Sequence, residues 1–382
     1  MAFDGIVIAN LTYDMKKALE GGKVAKIAQP EKDELLFTIK NQKETYRLLI
    51  SASASLPLIY FTDTNKQGPL TAPNFCMLLR KHIGNGRIVS VSQPGLERVI
   101  QIEFEHLDDL GDLCRKKLMV EIMGKHSNII FCREDGVILD SIKHVSAQVS
   151  SVREVLPGRE YFIPQTTEKA DPLSVCEEAF KDIMKGCHAP LQKAIYQKFT
   201  GISPVIATEL VHLASLEGEV PANELSDLEL THLYHTFSLM MEDVKNGCFH
   251  PNMILQNGEP VEFSSLPLTC FDGGDFQSVP YDSVSALLEE YYASRNAITR
   301  IKQKSVDLRK IVQTLLERNY KKYDLQQKQL KDTEKRDKYK VYGELINTYG
   351  YELVPGAKKL EALNYYTGVP ISIPLDPTLT PK

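Results

Sequence analysis

The chain has 382 residues, enough for two or three domains at roughly 100 to 200 residues each, and its 43% hydrophobic and 25% charged residues exclude a disordered or low-complexity chain. The uncharged stretch from Leu48 to Thr62 is interrupted by Pro57 and four Ser or Thr residues, so it cannot form an apolar span of about 20 residues. The net charge of −5 is unevenly spread: residues 300–340 hold 14 Lys or Arg against 6 Asp or Glu, a local +8 that leaves −13 on the remainder. The pattern predicts one basic arm on an acidic body.

In chain order, Asp4 stands as an N-cap before Ile8, Leu11, Met15 and Leu19 at helical spacing, with Gly21-Gly22 as a stop, which predicts a first helix of about four turns. An acid at position 4, where a secretory signal needs basic residues, predicts a cytoplasmic protein with no membrane partner. Short β-rich runs follow at 23–29, 34–40, 44–50, 56–61, 87–93, 98–104, 117–123, 127–132 and 137–139, an antiparallel meander or sandwich interrupted by one helix at 74–82. From about Asp171 to Asn246 the pattern is helical. There Phe199-Thr200-Gly201-Ile202-Ser203-Pro204 reads as a helix-hairpin-helix turn whose free amides can cradle a phosphate, or as an ordinary αα-hairpin.

A small β excursion occupies 249–282. A long helix then begins at Ser283, with Leu287, Tyr291, Ile298, Ile301, Leu308, Val312 and Leu315 on a 3.5-residue repeat, the seam of a coiled coil that needs a partner helix. The seam fades as the basic charge rises. The chain turns extended over 359–375, and Thr380-Pro381 reads as the start of a next helix, so the sequence is expected to stop where the partner helix begins. The fold class predicted is α+β multidomain, with boundaries at 1–170, 171–246, 247–282, 283–349 and 350–382.

Catalytic patterns are thin. No P-loop, GxGxxG after a strand, HExxH, GxSxG or CxxC is present. His232 and His235 lack a third ligand at metal spacing, Cys76 sits among apolar helix positions, and the seven cysteines read as reduced thiols; no metal or cofactor is expected. Three polar strings have no packing reason: Met123-Gly124-Lys125-His126-Ser127-Asn128; Asp140-Ser141-Ile142-Lys143-His144 with Ser150, Ser151 and Arg153 after it; and Gly95-Leu96-Glu97-Arg98. Each also reads as a solvated turn.

These strings, with Phe3-Asp4-Gly5, Pro73-Asn74-Phe75-Cys76-Met77-Leu78-Leu79-Arg80-Lys81-His82, Leu156-Pro157-Gly158 and Ile373-Pro374-Leu375-Asp376-Pro377, resemble the NFACT family over essentially the whole chain. That family has been named for fibronectin binding in bacteria and includes factors of ribosome-associated quality control. The resemblance implies an amino-terminal domain similar in fold to that of formamidopyrimidine-DNA glycosylases, a helix-hairpin-helix domain and a long coiled-coil helix, with a second such helix and a further RNA-binding domain beyond this chain.

The resemblance also implies a non-enzymatic translation factor. Such a factor binds a large ribosomal subunit holding a stalled peptidyl-tRNA, recruits a charged tRNA, in the bacterial branch alanyl-tRNA, and lets the ribosome extend the chain without a template. The family's tRNA-contacting Asp-Arg pair falls on Glu97 and Arg98, and its acidic position on Asp4. Lys125, His126, Ser127, Asn128, Lys143, His144 and Arg153 are further RNA-contacting candidates, and Lys321, Lys322, Lys335 and Arg336 are expected to meet ribosomal RNA. The alternatives are a surface adhesin binding fibronectin or fibrinogen, and a DNA-repair enzyme. The latter is opposed by Ala2 and Phe3, which stand where glycosylases carry a nucleophilic proline and a glutamate.

Overall fold

A computed structural model describes residues 3–108, 110–164 and 168–379, with residues 294–304 and 307 described by backbone alone. The chain divides into two compact units, Met1–Thr299 and Arg300–Lys382. In the first, helix α1 (Gly5–Leu19) starts at Asp4, whose Oδ1 accepts from the amides of Ile6 (3.0 Å) and Val7 (2.9 Å), the capping geometry expected of a short carboxylate. Its Leu11, Met15 and Leu19 are completely buried.

A meander follows, β1 (Lys23–Glu31), β2 (Glu34–Asn41), β3 (Glu44–Ala52) and β4 (Pro57–Phe61), then α2 (Asn74–Ile83). A second meander comprises β5 (Arg87–Ser92), β6 (Val99–Leu107), β7 (Leu113–Glu121), β8 (Asn128–Arg133) and β9 (Ile138–Ser141). All nine form one antiparallel sheet, in the order β4-β3-β2-β1-β5-β6-β7-β8-β9. Laid flat, β2 and β6 would lie about 14 Å apart at about 4.8 Å per strand. Instead Phe37 of β2 stacks on Phe104 of β6 with centroids 6.4 Å apart. The sheet therefore folds over on itself, and one core of Val24, Ile39, Ile50, Ile102, Leu118 and Phe131 fills the fold. This is the sandwich-like domain expected from the succession of short β-rich runs.

Helices α3 (Glu177–Lys185), α4 (Leu191–Lys198), α5 (Pro204–Leu213) and α6 (Asp227–Asn246) share a second core, in which the Phe180, Phe199 and Phe237 rings meet at 4.9 to 5.3 Å. Helix α6 opens with a reciprocal capping box between Ser226 and Glu229. Strands β10 (Asn252–Gln256), β11 (Glu259–Ser264) and β12 (Phe276–Pro280) form a small sheet ordered β11-β10-β12.

Helix α7 (Val284–Tyr349) contributes its first turns to the first unit and the remainder to the second. Leu287 and Tyr291, expected to open a coiled-coil seam, belong instead to the core of the first unit, where the Tyr291 ring stands 4.5 Å from that of Phe263 on β11. Ile298 and Ile301 lie among residues whose side chains are not described. Leu308, Val312 and Leu315 are 62%, 53% and 51% exposed, so among the described residues no second helix covers the seam. In the second unit the hairpin β13 (Lys359–Asn364) and β14 (Val369–Pro374) packs Leu360, Ala362 and Ile373 on Leu345 of α7. No helix among the described residues is long and apolar enough to cross a membrane.

Candidate functional site

Three chain segments distant in sequence cross at the start of α1. The Gly5 amide donates to the Gly201 carbonyl at 2.9 Å, and the Leu96 carbonyl lies against both glycines. A Cβ on Gly5 would stand 2.2 Å from that carbonyl and 2.6 Å from the Gly201 Cα; Gly201 is as tight and adopts φ +74°. Only glycine fits either place. The Gln93 side-chain amide then ties the turn before β6 to α1, donating to the carbonyls of Gly5 (2.9 Å) and Glu97 (2.8 Å).

This crossing gathers the charged groups. Asp4 is 6% exposed. Its second carboxylate oxygen accepts from the Ser203 hydroxyl at 2.5 Å, and Ser203 in turn caps α5. The amino end of α5, which could cradle a phosphate or belong to an ordinary αα-hairpin, already faces the protein's own carboxylate, and Ile202 and Ser203 are buried. Glu97 and Arg98 are half-buried beside it. Burial raises the Glu97 carboxyl above its ordinary value against the pull of Arg98 and Lys169, and burial lowers the Arg98 guanidinium against Glu97 and Asp4. Lys169, donating to the Tyr196 carbonyl at 2.9 Å, is lowered by partial burial and by the Arg98 charge. Two cations and two carboxylates in a partly dehydrated notch can hold an anion on the cationic side while the acids orient the guanidinium.

Burial pushes the Asp4 carboxyl to about 6, outweighing its hydrogen bonds to Ser203, Val7 and Ile6. The unfolded value is near 3.9, so the native state holds this proton more tightly. The associated stability is fully present below about pH 4 and is lost as pH rises through about 6, by up to about 3 kcal/mol. Asp4→Asn retains a capping side chain and should abolish that dependence. Urea midpoints from pH 4 to pH 7 should show the wild type falling relative to the variant; a constant difference would refute the assignment.

The other polar strings form a separate, interlocked structure. Asn128 is buried, donating to the Lys143 carbonyl (2.8 Å) while its Oδ1 accepts from the Ile129 (2.9 Å) and Lys143 (3.1 Å) amides. Ser127, also buried, accepts from the Met123 amide at 2.8 Å. Lys143 is turned inward, its ammonium bonded to the carbonyls of Ala52 and Ser127 and lowered by burial. His144 stays outside, 2.6 Å from Asp140. Arg153 pairs with the completely buried Glu121, which also accepts from the Tyr161 hydroxyl at 2.9 Å. Of this set, Lys125, His126 and His144 present exposed side chains.

Lys321, Lys322, Lys335 and Arg336 are exposed along α7 in the second unit, with Lys335 3.8 Å from Asp332. His232 and His235 lie on α6, and no group of three or more His, Cys, Asp or Glu among the described residues is placed to hold a metal ion.

The profile of the NFACT N-terminal and middle domains matches residues 4–382. The chain is 34% identical over 385 residues to the Bacillus subtilis (strain 168) protein named Rqc2 homolog RqcH, with all of this chain matched to 65% of that protein. It is 30% identical over 384 residues to the Streptococcus suis (strain 05ZYH33) protein of the same name, with 64% of that protein covered. It therefore spans a little under two thirds of these relatives. Among solved structures, the N-terminal part of a fibronectin/fibrinogen-binding protein from Streptococcus suis superposes with a TM-score of 0.63 at 28% identity, covering 76% of this chain and 99% of that one. With its family profile matched from Asp4 to the last residue, the chain belongs to the NFACT family, over the N-terminal and middle domains.

Proposed function

We propose that this chain is the tRNA- and large-subunit-engaging part of a ribosome quality-control factor. The observation that carries the reading is the Asp4, Glu97, Arg98 and Lys169 notch, in which three distant backbone segments are locked together by glycines around a half-buried arginine. Asp4 caps α1 and Lys169 bonds to the Tyr196 carbonyl, so the reading rests on the half-buried Glu97 and Arg98 placed beside them. The similarity to proteins named Rqc2 homolog supports the same reading.

On this reading, Arg98 takes a phosphate or base edge of a charged tRNA with its planar fork, Glu97 orients the guanidinium or accepts from an exocyclic amine, and Asp4 fixes the floor. The bound tRNA is alanyl-tRNA, and the ribosome carries out peptidyl transfer to the stalled chain. The protein supplies placement rather than chemistry. The α4–α5 hairpin acts as a helix-hairpin-helix element whose turn builds the notch rather than an open phosphate cradle. Sequencing the RNA that copurifies with the full-length protein from its own cells tests this. Large-subunit RNA together with alanine tRNA is expected; recovery of neither rejects the reading and reopens that of a fibronectin-binding adhesin.

The basic stretch of α7 is assigned to ribosomal RNA by charge, its Lys321, Lys322, Lys335 and Arg336 being exposed alongside Tyr320, Tyr323 and Tyr339. Reversing these four should weaken large-subunit binding and flatten the plot of log affinity against log salt by about 0.7 to 0.9 for each phosphate that is no longer neutralised. An unchanged slope would remove the arm from the interface.

A further inference from the structure

A second cationic surface lies on the outer face of the sheet. Lys23 on β1 is directly opposite Lys40 on β2 and, on its other side, directly opposite Arg87 on β5. Directly paired residues in a sheet project to the same face. All three are exposed, whereas their neighbours Val24, Ile39 and Ile88 are buried. At about 4.8 Å per strand, the three cations make a row roughly 10 Å long.

A bulge extends the row. The register shifts between Val24 and Lys26, so Val24 and Ile27 both stay in the core while Lys23 and Lys26 both face outward. Strict alternation would have turned Lys26 inward; the extra residue re-aims it.

Like charges directly opposite each other destabilise a sheet, and the rest of this sheet avoids or neutralises them. Glu103 faces Lys117 and Glu105 faces Arg115. The acidic pair Glu31 and Glu34 has Lys66 at 2.9 Å from Glu34, and the basic pair Lys116 and Arg133 has Asp135 at 2.5 Å from Arg133. For Lys23, Lys40 and Arg87 no ion pair with a described residue exists. Even Glu105, across from Arg87 on β6, pairs instead with Arg115 at 3.7 Å. The neighbouring uncharged residues include Thr38, Thr45, Ala25 and the half-buried Val89, none of them the aromatic anchor typical of a protein interface.

We infer that the row of Lys23, Lys40 and Arg87, extended by Lys26, binds an RNA phosphate backbone without reading sequence. It is distinct from the Arg98 notch and from the α7 arm, and holds whether or not the ribosomal reading does, since it requires only a polyanion.

The test uses the full-length protein and a short RNA duplex of arbitrary sequence, titrated between about 50 and about 200 mM salt. A triple variant, Lys23→Gln, Lys40→Gln and Arg87→Gln, should flatten the salt slope by about 2. The fall in affinity across that range should then shrink roughly 16-fold. Its thermal midpoint should be unchanged or higher, because the repulsion is relieved. The control neutralises Lys181, Lys185 and Lys359, each already ion-paired to a carboxylate, and should leave the slope nearly unchanged. An unaltered slope in the first triple overturns the inference. So does equal flattening by both triples, which would reduce the effect to bulk charge. Loss of binding to anionic lipid vesicles with RNA binding intact also overturns it.

Discussion

Large subunits bound by an Arg98→Ala protein are expected to carry no charged tRNA while retaining the protein itself. Arg98 sits where the turn from Gln93 meets α1, its guanidinium partly dehydrated between the carboxylates of Glu97 and Asp4. Partial dehydration makes each charge-assisted hydrogen bond to a ligand stronger than at an open surface, and the planar fork matches a phosphate or a guanine edge in two bonds at once. Arg98→Lys keeps the charge and loses the fork, so it should retain only a fraction of the tRNA. The competing account is a structural arginine that merely compensates its two acidic neighbours. In that case Arg98→Ala would lower the thermal midpoint and subunit binding together, and the tRNA bound per subunit-bound protein would equal that of the wild type. Counting charged tRNA per bound protein, with the midpoint measured beside it, separates the two.

The elements that build this notch were legible in the sequence to different degrees. The helix from Gly5 to Leu19 and most strands follow from local patterns: Asp4 is an N-cap by chemistry alone, the alternation in 98–104 needs no distant partner, and 44–50 is a short β-rich run between turn signals. The crossing of Gly5, Leu96 and Gly201 was not legible, since it joins positions almost two hundred residues apart and leaves no periodic trace. The signals that could have found it were a glycine directly after an N-cap, where helices seldom place one, and the Gly201 turn ending in Ser203-Pro204.

The long helix misled in a different way. Leu287 and Tyr291 fit a 3.5-residue repeat, but over little more than one turn that spacing cannot be told from the 3.6-residue stripe of an ordinary core helix, and the core is where they lie. The strings around Asn128 and Lys143 show a related limit. Polarity marks residues that need hydrogen bonds, and a buried clamp satisfies that need as well as an RNA does, so Asn128, Ser127 and Lys143 bond inward while Lys125, His126 and His144 remain on the surface.

Arg153 belongs with the clamps, and its replacement should be the most destabilising single change outside the apolar cores. Its partner Glu121 has no exposed surface, and the Arg153 side chain itself is 10% exposed. The guanidinium also donates to the Phe162 carbonyl at 2.6 Å and lies over the Tyr161 ring at 5.6 Å, so one side chain fastens the segment after β9 to the end of β7. Removing it leaves a buried carboxylate with only the Tyr161 hydroxyl for compensation. Breaking one side of such a pair costs about 3 to 5 kcal/mol, whereas replacing both sides with neutral groups is far milder. Arg153→Met should therefore lower the unfolding free energy by that amount, and adding Glu121→Gln should restore most of it. If Arg153 were instead an RNA contact, Arg153→Met would leave stability within about 1 kcal/mol of wild type, as surface charges do, and RNA affinity would fall. Denaturant midpoints of the two variants, taken with their RNA salt titrations, decide which energy the guanidinium supplies.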